Sequence, residues 1–133
     1  MRALAIWNKV LVLQVAGEID LATIARLRER LHEHVPGAHQ MVILDFTEVS
    51  FLGACGLSLL VEIADQAHAA GIALRLVAPS RAVRRALAVT GVDKLVPPNA
   101  TMANAMSNPT NSPTDGSPLA HHTEIIVLNN FHS

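Results

Sequence analysis

The run "MVILDF", Met41–Phe46, is apolar at every position but Asp45 and is followed by polar residues. A strand with one wet face alternates apolar and polar side chains. A run of this kind is instead a central strand covered on both faces. Such a strand needs helices or further sheet packed against it, and the flanking sequence supplies candidates for both.

Ala3–Trp7 and Val10–Ala16 read as two strands joined by a tight turn at Asn8–Lys9, with Gly17 breaking the second. Asp20 or Thr23 then caps a helix whose apolar residues, Leu21, Ile24, Leu27, Leu31 and Val35, fall at steps of three and four and form one inward stripe. Pro36–Gly37 ends it. After Met41–Phe46, a second helix runs from Leu57 to about Ala70, with Leu57, Leu60, Val61, Ala64 and Ala67 on one side and Gly71 beyond its end. Ile72–Val77 is the next strand. Ser80 caps a third helix that turns Val83, Ala86 and Leu87 inward and stops at Gly91. Lys94–Val96 reads as a short strand and Asn99–Met106 as a short last helix.

This alternation predicts one α/β domain over residues 1–106, built on a mixed four- to five-stranded sheet with helices mainly on one face. Residues 107–133 form a tail. Its "SNPTNSPTDGSP" portion is too polar and proline-rich to order itself, whereas "TEIIVLNNF" is strand-like and can add to a sheet edge in this chain or another.

Only 3% of the residues are aromatic, so the core is aliphatic. A net charge of −1 provides no field for binding nucleic acid through its phosphates. No run of about 18 apolar residues is present, and "WNK" interrupts the apolar start, so neither a spanning helix nor a signal peptide is expected. The single cysteine, Cys55, cannot form an internal disulfide. The expectation is a cytoplasmic protein without membrane insertion, a monomer or weak homodimer.

Between the central strand and the second helix lies "VSFLGACGLSLL", Val49–Leu60, crowded with tiny side chains. Together with "VLVLQVAGEID" before the first helix and "APSRAVRRALAVTGVDKLV" around the third, it resembles the signature of the STAS domain, the fold of bacterial anti-sigma factor antagonists. The match runs from Val10 to about Met106. The resemblance implies a protein that docks on an anti-sigma factor, often a kinase-type ATPase, and is released when that kinase phosphorylates a serine at the strand–helix junction. Here Ala54 stands at the serine's position, Gly53 stands where some members carry an acidic residue, and Cys55 follows. Alanine has no oxygen to phosphorylate. The implied partner-binding set is Glu18, Asp20, Ser50, Phe51, Leu52, Gly53, Ala54, Cys55, Gly56 and Leu57.

Cys55 begins a helix, where the dipole favours a thiolate, so it is a possible redox residue; the alternative is a small inward-facing hydrophobe. Ser58, Ser50 and Thr47 are other hydroxyls near the junction. Glu18 and Asp20 either meet basic groups on a partner or serve as capping and solvated residues. Arg81, Arg84 and Arg85, with Arg75 nearby, form a basic patch or a solvated helix face. Asp45 reads as a structural turn residue. None of the histidines has zinc-site spacing, so no metal is expected. His68 lies 13 positions after Cys55, roughly 20 Å along a helix axis, too far to activate it. No phosphate-cradling glycine motif occurs. No cofactor and no enzymatic activity are expected. A non-switching STAS scaffold subunit is the other reading.

Overall fold

The computed structural model describes residues 8–37, 40–106 and 121–128. In chain order these form β1 (Asn8–Ile19), α1 (Ile24–His34), β2 (Met41–Leu52), α2 (Ala54–Ala69), β3 (Ala73–Val77) and α3 (Arg81–Thr90). A 3-10 turn (Val92–Lys94), β4 (Pro98–Asn99), α4 (Met102–Met106) and β5 (His121–Leu128) complete them. The sheet order is β4-β3-β2-β1-β5, and every described pairing is parallel. Parallel neighbours require crossover connections, which α1, α2 and α3 supply.

Side chains alternate across the sheet as the strand period demands. Leu11, Leu13 and Val15 of β1 and Val42, Leu44 and Phe46 of β2 face one core. That core is closed by Ile24, Leu27 and Leu31 of α1, Leu59, Leu60 and Ile63 of α2, and Val83 and Leu87 of α3. Val10, Val12, Met41, Ile43 and Val77 face the other side and meet Ala105 and Met102 of α4. Met41–Leu44 are therefore buried whichever way they point, as the apolar run requires. Burying each aliphatic side chain contributes about 1.5–3 kcal/mol.

The α/β class, the five strands and the placement of most helices on one face agree with the sequence reading. Ala3–Trp7, the strand that would make the sheet mixed, lies outside the described residues, as do residues 107–120. The expected turn at Asn8–Lys9 is absent: both residues belong to β1 and pair with His121 and His122. The strand-like end of the tail thus adds to the sheet of its own chain as β5. Lys94–Val96 is not a strand. Gly91 (φ 80°) turns the chain into the 3-10 turn, and Val96 N–H donates to Val92 O at 2.9 Å. The short strand falls instead at Pro98–Asn99, which delays the last helix to Met102.

Strands β1 and β2 run past the rest of the sheet as a two-stranded ribbon, because β3 ends opposite Asp45. Two bulges shape this ribbon. Gln14 and Ala16 pair with Asp45 and Glu48, and Gly17 and Glu18 pair with Val49 and Phe51, so β2 carries one extra residue at each shift. Asp45 holds the first bulge, its Oδ1 accepting from Thr47 N–H at 3.0 Å and from Thr47 Oγ1 at 2.5 Å. Gly17, with φ 102°, supplies the left-handed backbone opposite the second. Gly17 therefore bends β1 without ending it.

Between the helices, Glu62 of α2 accepts from Arg28 Nε at 3.4 Å and pairs with His32 Nε2 at 2.5 Å. The His32 hydrogen bond, helped by the Arg28 charge, lowers the Glu62 pKa. A depressed carboxylate pKa contributes stability above its unfolded value and loses it as pH falls through the folded value. The three side chains are well exposed, so the contribution stays below about 1 kcal/mol. Glu62→Gln should lower the denaturation midpoint slightly at pH 7, with the difference from wild type vanishing as pH falls below the carboxylate range. A larger effect is expected at Gly56, where a Cβ would lie 2.5 Å from Leu52 Cδ1 and 2.7 Å from Ile19 Cγ2. Overpacking there outweighs the gain of about 1 kcal/mol in helix propensity, so Gly56→Ala should destabilise by about 1 kcal/mol in urea titrations.

Candidate functional site

The tip of the β1–β2 ribbon meets the start of α2. Gly53 N–H donates to Ile19 O at 2.9 Å, which ties the end of β2 to the end of β1. Gly53 then adopts an extended conformation (φ −81°, ψ 177°) and its carbonyl accepts from Gly56 and Leu57, starting α2 at Ala54. A Cβ on residue 53 would sit 3.2 Å from Phe51 Cε2 and 3.3 Å from Ile19 O, so the tight corner favours glycine. No side chain caps the first turn of α2.

Across the junction, β1 ends in a compact turn. Asp20 Oδ1 accepts from Ala22 N–H at 3.0 Å and Thr23 N–H at 3.2 Å, while Thr23 Oγ1 donates to Glu18 O at 2.8 Å. This network gives the Asp20 carboxylate the capping role read for it: it holds the turn while lining the cleft. It also delays α1 to Ile24 and carries Leu21 outward. Leu21, expected in the inward stripe of α1, is 85% exposed, because the helical period does not yet apply at its position.

The two ends together form an open cleft of about 510 Å³ lined by Asp20, Leu21, Ala22, Phe51, Gly53, Ala54 and Cys55. Phe51 is 52% exposed, lifted to the surface by the second bulge. Ala54 is exposed at the first position of α2. Glu18, Ser50 and Glu48 are exposed on the same ribbon. The site is thus an apolar floor edged by carboxylates.

Of the residues implied at the sequence level, Asp20, Phe51, Gly53, Ala54 and Cys55 line the cleft, and Glu18 and Ser50 lie exposed on the adjoining ribbon. Leu52, Gly56 and Leu57 are buried beneath, where they pack and present no side chain to solvent. Cys55 is half-buried, lining the cleft on one side and packing against the main core on the other. Leu21 and Ala22 were missed. The signal was present in Asp20 and Thr23, whose three-residue spacing marks a turn before the helix and so removes both from the stripe. Arg81, Arg84 and Arg85 are exposed on α3, but Arg75 lies buried in β3, where desolvation lowers its pKa, and it does not join them. Among the described residues no cluster of His, Cys, Asp or Glu could hold a metal ion, and no helix is long and apolar enough to cross a membrane.

Comparison with known proteins gives this geometry its context. Residues 3–105 match the STAS domain model. The chain is 32% identical over 100 residues to the anti-sigma-F factor antagonist RsfB of Mycobacterium tuberculosis, covering 75% of this chain and 81% of that protein. An anti-sigma factor antagonist from Mycobacterium paratuberculosis has a similar structure, with a TM-score of 0.64, 29% identity, and coverage of 70% of this chain and 81% of that one. Unphosphorylated SpoIIAA of Bacillus shares the fold, with a TM-score of 0.64 at 21% identity over 80% of this chain and 93% of that one. The chain belongs to the STAS domain family.

Proposed function

We propose that this protein is an anti-sigma factor antagonist that captures an anti-sigma factor at the cleft between Leu21 and Phe51 and is not released by phosphorylation at position 54. It is a regulator that acts by binding, without catalysis. The observation that carries the reading is the exposure of Leu21 and Phe51 on either side of Ala54, on a chain whose curated relative is an anti-sigma-F factor antagonist. Exposed apolar side chains grouped around one cleft are a feature of interaction surfaces. A few well-packed residues carry most of the energy of such a surface, and aromatic side chains are enriched in its core.

The partner is an anti-sigma factor of the ATPase or kinase type. Its interface with this chain buries on the order of 1,200–2,000 Å². Ala54 and Gly53 keep the floor flat, so the partner's backbone can approach the start of α2 closely. In a protein switched by a kinase, a phosphoserine adds about −1.5 to −2 charges at such a contact. Alanine cannot receive them, so binding here is set by the amounts of the two proteins and by inputs other than phosphate at this position.

Titration of the purified chain against its anti-sigma factor tests the reading. Phe51→Ala should weaken binding by at least about tenfold. Ala54→Glu should weaken it by more, because it buries an unpaired carboxylate in the contact. Both positions are exposed, so thermal stability should be unchanged. Equal affinity of wild type and both variants would locate the interface elsewhere. Ala54→Ser should become a substrate for a kinase-type partner and leave the complex once phosphorylated. A serine variant that is phosphorylated yet stays bound would remove the switching argument.

A further inference from the structure

The two edges of the sheet are built differently. The β4 edge is two residues long and begins with Pro98, which has no N–H to offer. The β5 edge is eight residues long, contains no Pro, Lys or Arg, and has Glu124 as its one side chain of fixed charge. Natural sheets blunt an exposed edge with prolines, lysines, bulges or brevity. The β4 edge follows that practice, and β5 does not.

β5 also presents apolar side chains to solvent. Leu128 and Ile126 turn into the main core. Ile125 and Val127, on the opposite face, are 58% and 53% exposed. Ile125 pairs with Val12 of β1, which belongs to the second core, so the apolar surface of that face continues outward to the edge. The side of β5 away from β1 has no strand partner among the described residues.

We propose that β5 is a homodimerisation strand, pairing antiparallel with β5 of a second copy across a two-fold axis at Ile126. This inference is independent of the docking reading. The choice of a second copy rests on self-complementarity. Centred on Ile126, the register sets Ile125 of each copy opposite Val127 of the other, which places four β-branched side chains together on one face. It sets each Glu124 opposite Leu128, keeping the two carboxylates apart, whereas a register centred on Glu124 would oppose them directly. The two-fold arrangement uses up the β5 edge of each copy and closes the assembly at two copies. One strand per copy is a contact below about 1,200 Å², so the dimer is reversible and concentration-dependent. β5 ends opposite Val15, four residues before Ile19, and the cleft stays open in both copies.

Sedimentation of the full chain from about 1 µM to 1 mM is the test. Wild type should pass reversibly from monomer to dimer. The double variant Ile125→Lys, Val127→Lys should weaken dimerisation by more than about tenfold with an unchanged thermal midpoint, since both side chains are exposed. In a Cys55→Ala background, Ile126→Cys should form an intermolecular disulfide much faster than Val89→Cys, which lies exposed on α3. Opposed residues on antiparallel strands come within disulfide reach. A wild type that stays monomeric throughout, a lysine variant that dimerises as tightly, or equal cross-linking rates at the two positions would overturn the proposal.

Discussion

One backbone hydrogen bond, from Gly53 N–H to Ile19 O, fixes the relation between the ends of the two longest strands. Without it the ribbon tip would splay, and the turn carrying Leu21 would have no defined position relative to Phe51 and Ala54. The bond forms because β2 has two more residues than β1 over the paired stretch, which curls its end toward β1. Gly56 then packs against Ile19 and Leu52 from below, so one corner is held by a hydrogen bond at its surface and by close contact inside. The backbone frame of the cleft is thus set by the sheet.

The arrangement separates support from presentation. Leu52, Gly56 and Leu57 alternate in sequence with Phe51, Ala54 and Cys55, yet the first three belong to the core and the others reach the cleft. Asp20 is similarly occupied: its carboxylate stabilises the turn and therefore adds its charge at a fixed place. The cleft thus presents apolar side chains on a backbone fixed by the sheet and the turn.

Much of this was legible in the sequence. The apolar run at Met41–Leu44 announced a covered strand, and Ser80 and Gly91 bounded α3 correctly. The failures have physical causes. Beyond Phe46 the buried residues of β2 are Val49 and Leu52, at steps of three, because each bulge adds a residue; a period-two reading ends the strand too early. Leu21 has helical spacing to Ile24, but the Asp20–Thr23 turn intervenes. Asn8–Lys9 has turn composition, yet pairing with β5 holds it extended, and an interaction across more than a hundred residues leaves no local trace. The small-residue junction and Asp20 across the cleft were found, whereas Leu21 and Ala22 were not, since only folding brings residue 21 to residue 51.

All the described strands run the same way, so α1, α2 and α3 begin at the same end of the sheet, and Ala54 stands there exposed to solvent. Exchange between alanine and serine at such a place leaves the packing untouched. A serine at this position would therefore meet the same surroundings as the alanine, so the side chain at the start of α2 is free to vary without a cost in the core.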